Sequence, residues 1–261
     1  MTGTADKKAG KWGDLPARLG SALVMLLVGG VAIWHGGILF HELVVLICAG
    51  MIWELTRMMN GGEMRHAVFV AVLAGAAMLS THFIPGRAIA PVLAAVALAG
   101  MGQIKKDRLI YVAYAVGLMF ASYGLIVLRD VRGAYWLVWL VSVVVATDVA
   151  GYFAGRLIGG PKFWVKVSPK KTWAGTIAGW IAAGAVGIAF GGTALIVISV
   201  LTSFASQMGD AAESALKRRA GIKDSSNLIP GHGGLLDRFD AMMGAALLVL
   251  LLGAFLGLPA T

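Results

Sequence analysis

Residues Leu228 to Gly244 read LIPGHGGLLDRFDAMMG, and they run directly into the apolar stretch AALLVLLLGAFL from Ala245 to Leu256. About 20 apolar residues suffice for a helix to cross a bilayer, so the stretch behind Asp240 reads as a membrane span. Its mouth carries Asp237, Arg238 and Asp240, with His232 and two glycines just upstream. Ionisable groups are costly at such a place, and their presence there points to a function.

The rest of the chain has the same character. Of its 261 residues, 59% are hydrophobic and only 13% charged. A soluble domain carries roughly 25% charged residues, so the composition indicates a polytopic membrane protein. The single cysteine, Cys48, lies in an apolar run and excludes an intramolecular disulfide or a multi-cysteine metal site. The formal charge of +9 does not imply nucleic acid, because the basic residues fall between apolar runs, where topology demands them. The N-terminal MTGTADKKAGKWGDLPARLGSALVMLLVGGVAIW resembles a signal peptide, but no small-residue cleavage site follows the apolar run. An uncleaved first span is expected.

Hydropathy places nine helices near 17–35, 37–57, 66–84, 88–104, 109–128, 133–152, 173–190, 192–207 and 241–258. The expected fold is all-α: a tail over 1–16, N-terminal membrane helices over 17–132, and a C-terminal catalytic region over 133–261. With the N-terminus inside and the C-terminus outside, all of the 22 Lys and Arg residues except Arg87, Arg129 and Arg132 fall inward, as the positive-inside rule requires. No repeat is evident. The Gly175–Gly179 spacing marks close helix packing.

Two inward loops, 153–172 and 208–240, hold most of the chemistry. The second carries Asp210, Glu213, Asp224, Asp237 and Asp240 beside Lys217, Arg218, Lys223 and Arg238. Topology needs the cations but not the carboxylates. Asp237 and Asp240 share a helix face, and the preceding HGG lets the backbone approach a ligand closely. Asp148 ends the sixth span, and KVSPKKTWAG offers Lys166, Ser168, Lys170, Lys171 and Thr172. Carboxylates from separate segments suit a hard cation such as Mg²⁺, and the surrounding cations suit phosphate oxygens. Simpler roles stay open: helix capping for Asp237, a structural role for His232, topology for the lysines, and packing or interfacial contacts for Glu42 and Glu54.

SALKRRAGIKDSSNLIPGHGGLLDRFD, Ser214 to Asp240, resembles the signature of the phosphatidate cytidylyltransferases, the CDP-diacylglycerol synthases. Each fixed position is filled, by Ser214, Lys217, Arg218, Lys223, Asp224, His232, Gly233, Gly234, Asp237, Arg238 and Asp240. SQMGD, with Gln207 and Asp210, KVSPKKTWAG and TDVAGYFAG are also similar to family segments, so the resemblance covers 147–240. The chain departs from the pattern at Val149, where a small residue often follows the aspartate.

The resemblance implies transfer of CMP from CTP to phosphatidic acid, giving CDP-diacylglycerol and pyrophosphate with Mg²⁺. It implies metal binding at Asp210, Asp237 and Asp240, and phosphate binding at Lys217, Arg218, Lys223 and Arg238. Asp148, Lys166, Ser168, Lys171, Thr172, Gln207, Ser214, Gly233 and Gly234 are the expected substrate-binding set. A second, monovalent cation and a homodimer are left open. The expected location is the cytoplasmic membrane, with the site facing the cytoplasm. A transporter would instead place ionisable residues near span centres in two related halves, and the chain lacks the D-G-x2-A-R pattern of CDP-alcohol phosphotransferases. A membrane scaffold leaves the polar cluster unexplained.

Overall fold

The computed structural model describes residues 15–165 and 167–256. Among these residues there are nine α-helices: α1 Leu15–His35, α2 Gly37–Met59, α3 Met64–Ser80, α4 Gly86–Met101, α5 Arg108–Arg132, α6 Ala134–Leu157, α7 Trp173–Gly191, α8 Ile196–Ala220 and α9 Leu236–Leu256. A 3-10 turn, Gly192–Leu195, joins α7 to α8. Five segments are long and apolar enough to cross a membrane: α2, α5, α6, α9 and the continuous stretch Trp173–Ala220 formed by α7 and α8. Leu19–His35, α3 and α4 are apolar but shorter. Most of the tail expected over 1–16 lies outside the described residues.

The core lies where α2, α5, α6, α8 and α9 meet, and several of the polar groups it buries are paired with one another. Tyr111 Oη is 2.9 Å from Thr56 Oγ1, and Trp139 Nε1 donates to Ser199 Oγ at 3.0 Å. Small residues set the closest approaches. A side chain at Gly175 would run into the backbone carbonyl of Gly151, so α6 and α7 pack backbone to backbone. A side chain at Gly209 would collide with the carbonyl of Asp240, and one at Gly244 with that of Ala205, which makes the α8–α9 crossing equally tight.

The chain is overwhelmingly helical, as expected, and three details differ from the expectation. First, a short hairpin accompanies the helices: β1 Lys162–Trp164 and β2 Ser168–Thr172 pair antiparallel, with Lys162 opposite Thr172 and Trp164 opposite Ser168. Apolar residues at 163–165 favour a strand, while the proline and lysines after them disguise its partner. Phe163 then packs edge-on against Trp173, 4.8 Å between ring centroids, fixing the hairpin to α7. Second, α8 does not stop near 207 but continues to Ala220, because polarity ends a hydropathy window without ending a helix. Glu213 and Lys217, one turn apart and 2.6 Å from each other, support that extension. It stops at Gly221, whose φ of 71° is a left-handed C-terminal conformation that suits glycine. Third, α9 begins at Leu236, so the expected loop 208–240 shrinks to the connection after Ala220.

Candidate active site

The polar ends of α6, α8 and α9, the hairpin, and the connection from Gly221 to Leu235 form two pockets with a charged junction between them. The first pocket, about 460 Å³, is lined by Asp148, Lys170, Lys171, Thr172, Gln207 and Asp210, among others. Glycines of α6 and α7 line it where the two helices touch, Gly151 meeting the Gly175 carbonyl and Gly155 facing Thr172. Thr172 caps α7 by accepting from Gly175 N at 3.2 Å. Lys171 Nζ lies 2.5 Å from Asp210 Oδ2 and donates to the Gln207 carbonyl at 3.5 Å. Ser214 Oγ donates to Asp210 Oδ1 at 3.3 Å. The Gln207 amide is locked in place, accepting from Trp180 Nε1 at 3.0 Å and donating to Thr176 O at 3.2 Å.

The junction centres on Lys217, whose ammonium is 2.6 Å from both Glu213 Oε2 and Asp237 Oδ1. The other Asp237 oxygen accepts from Gly234 N at 2.8 Å, Ser225 N at 2.9 Å and Ser225 Oγ at 2.9 Å. Both oxygens of Asp237 are therefore engaged, which orients the start of α9. The α8–α9 crossing brings Asp240 within electrostatic range of Asp210 and Asp148. Tyr114 of α5 lies within electrostatic range of Asp210, Glu213 and Asp240.

The second pocket, about 620 Å³, is lined by Lys223, Asp224, Asn227, Ile229, Pro230, His232, Gly233 and Arg238, with Gly231. A tight turn shapes it: Ile229 N donates to Gly233 O at 2.8 Å and His232 N to Ile229 O at 2.9 Å. The Arg238 guanidinium donates twice to the His232 carbonyl, at 2.8 and 2.6 Å. His232 Nδ1 is 2.6 Å from Ser21 Oγ on α1. The paired glycines of HGG are required by space. A Cβ at Gly233 would lie 2.9 Å from Asp237 Oδ2, and one at Gly234 would lie 2.5 Å from Glu54 Oε1.

Most of the expected residues thus converge, in two groups. Ser168 sits at the start of β2 opposite Trp164, and Arg218 is exposed on α8. Lys166 lies outside the described residues. Among the described residues no three His, Cys, Asp or Glu side chains are grouped so as to hold a metal ion. Mg²⁺ does not need such a cage, since it commonly takes one or two carboxylates together with water and substrate phosphates. Asp210 and Asp240, close enough to interact electrostatically, are hard oxygen donors of that kind and fit it. Asp237 is less available, because Lys217 occupies one oxygen and three donors the other.

Two contributors were hidden in the sequence. Glu54 of α2 accepts from the backbone at Leu235 and Leu236, at 2.9 and 2.7 Å. Its signal was a carboxylate inside an apolar span, which is by default a functional indication. Tyr114 carried no comparable signal.

These features agree with what the chain resembles as a whole. A model of the Cytidylyltransferase family matches residues 16–256. Phosphatidate cytidylyltransferase of Brucella suis biovar 1 (strain 1330) is 45% identical over 157 residues, 56% of this chain and 58% of that protein. The protein of that name from Haemophilus influenzae is 42% identical over 126 residues, 44% of each chain. The one from Staphylococcus saprophyticus is 35% identical over 153 residues, 54% of this chain and 59% of that protein. The chain therefore spans about half the length of these curated relatives. With the family match running from residue 16 to residue 256, the protein belongs to the Cytidylyltransferase family.

Proposed function

We propose that the protein is a phosphatidate cytidylyltransferase, transferring CMP from CTP to phosphatidic acid with release of pyrophosphate. The observation that carries this reading is the pair of pockets, each lined by cations, one by Lys170 and Lys171 and the other by Lys223 and Arg238. One reaction between two phosphate-bearing substrates needs such a pair. The CTP triphosphate belongs in the pocket of Lys171, Thr172, Gln207 and Asp210. The lipid phosphate belongs with Lys223, His232 and Arg238, because that pocket shares Ile229 and Pro230 with an apolar groove of about 620 Å³.

A lipid phosphate oxygen attacks the α-phosphorus of CTP, the bond to the β-phosphate bridging oxygen breaks, and pyrophosphate leaves with that electron pair. A phosphate monoester is ionised near neutral pH, so His232 is needed as a hydrogen-bond donor and not as a base. Catalysis comes from positioning and charge neutralisation. Lys171 and Lys217 offer ammonium groups to the phosphates, each now held by carboxylates that keep it in place. Asp210 and Asp240 would hold Mg²⁺, which when bound would supply further neutralisation of the triphosphate. Asp237 keeps Lys217 positioned between the carboxylates and the phosphates.

In this reading the helices cross a cytoplasmic membrane nine times, with the N-terminus inside, the C-terminus outside and both pockets facing the cytoplasm. CTP then arrives from water, while phosphatidate keeps its acyl chains in the bilayer. The test is reconstitution in vesicles with CTP labelled at the α-phosphorus. Label is expected to enter the lipid only when both phosphatidate and Mg²⁺ are present, with one pyrophosphate released per lipid labelled. Label that stays in water, or enters lipid without phosphatidate, overturns the proposal.

A further inference from the structure

Glu54 is fully buried, at 0% exposure, in the middle of apolar neighbours on α2, yet it reaches into the signature segment. Oε1 accepts from Ser226 Oγ at 2.5 Å and Leu235 N at 2.9 Å, and Oε2 from Leu236 N at 2.7 Å and Ser225 Oγ at 3.1 Å. These four donors are neutral, and they bracket the turn that carries His232 and Gly233. The amides of Leu235 and Leu236 lie where α9 starts, at the end of a helix whose first N–H groups have no partner within it. A carboxylate there also opposes the positive end of the helix dipole. Glu54 is thus a cap for α9 supplied by another helix. Ser225 Oγ lies against Asp237 as well as Glu54, so the two carboxylates are coupled through one hydroxyl.

We propose that Glu54 is a positioning residue for the lipid-phosphate pocket, fixing the segment from Ser225 to Leu236 and thereby placing His232, Gly233 and Asp237. The proposal takes that pocket's substrate from the function given above. The anchor itself is rigid, since Met51, Ile52 and Leu55 around it are fully buried in the core. The site also selects a carboxylate. Glutamine would offer one acceptor oxygen and turn an NH₂ group toward hydroxyl and amide donors, leaving a buried donor unsatisfied. Aspartate keeps both oxygens but is one methylene too short to reach from the same backbone.

The test uses the full-length protein in lipid nanodiscs and reads two quantities, amide hydrogen exchange and steady-state kinetics with each substrate varied. In Glu54→Gln, exchange at Gly234, Leu235 and Leu236 should quicken about tenfold while the amides of α5 and α6 keep their rates. kcat should fall about tenfold and KM for phosphatidate should rise, with KM for CTP within about twofold. The CTP pocket is spared because Lys171, Gln207 and Asp210 are held by contacts among β2, α7 and α8. Glu54→Asp should fall between wild type and Glu54→Gln. If Glu54→Gln does not fold, Ser226→Ala removes one donor and should show the same local pattern at about threefold. Unchanged exchange over 225–236, a uniform increase across all helices, or equal rises in KM for both substrates would each overturn the assignment. If the wild type fails to transfer CMP to phosphatidate, the function above is lost, and the exchange measurement still judges Glu54.

Discussion

Lys171 is the residue at which a topological and a chemical role separate most cleanly. Its ammonium touches Asp210 and the Gln207 carbonyl in a pocket walled by glycines. Arginine satisfies the positive-inside rule equally well but replaces a compact point charge with a planar fork. Lys171→Arg should therefore insert normally and lose about tenfold or more in turnover. Full activity in both Lys171→Arg and Lys171→Ala would exclude the hairpin from the site. Asp210 makes a second case. Asparagine is a poorer Mg²⁺ ligand and cannot pair with Lys171, so Asp210→Asn should shift the Mg²⁺ titration of activity to higher concentration. Superimposable titrations for the variant and the wild type would remove Asp210 from the metal. At Gly234 the constraint is space. A methyl group would press on Glu54 Oε1 and Ser225 Oγ, and Gly234→Ala should cost about 1–3 kcal/mol of stability, as overpacking generally does. A denaturation midpoint equal to the wild type would show that the loop accommodates it.

Among the elements, the α8–α9 crossing sets how near Asp210 and Asp240 come to each other. Gly209 and Gly244 let two backbones touch, which sets Asp210 on α8 across from Asp240 on α9. Gly244→Val must push the helices apart, because the Ala205 carbonyl and the Gly209 backbone stand in the way. Both stability and Mg²⁺-dependent turnover should fall, the latter by about a hundredfold if the carboxylates separate by an ångström. A variant that keeps its turnover would show that the crossing does not set the site. This contact was only partly legible beforehand. Apolar runs located most of the helices to within a few residues, because hydropathy responds to the apolar part of each. It is blind where a helix leaves that environment, so the last turns of α8 read as loop. Lysines likewise hid β2, whose strand state depends on β1 and on Phe163 meeting Trp173. The signature residues were legible as a set because their spacing is preserved. Their partners were not, since the contact between Glu54 and Leu236 spans 182 positions of the chain.

At the scale of the whole molecule, the proposed function asks how a lipid would reach a site built from charges. The apolar groove is lined along α1 from Ser21 to Ile33, roughly 18 Å at helical rise, comparable to half of a hydrocarbon core about 30 Å thick. Its far wall is α2, and its inner end is closed by Leu228, Ile229, Pro230 and Leu235, behind which lie His232 and Arg238. An acyl chain in this groove would bring its phosphate to the basic pocket. Moving a chain from bilayer into the groove exchanges one apolar surrounding for another, so little affinity comes from burial. The benefit is orientation, which appears in the rate for substrates long enough to use the groove. Val28 lies on α1 facing it, midway along. Val28→Trp should lower kcat/KM for long-chain phosphatidate by about tenfold and leave a dihexanoyl analogue, too short to reach Val28, close to its wild-type rate. The comparison is made in one set of nanodiscs with CTP saturating, so the nucleotide pocket cannot contribute. Equal losses with both lipids would mean that the tryptophan disturbs α1 and not the path of the chain. No loss with either would place the acyl chains outside this groove, leaving the Ser21–His232 contact as α1's link to the site.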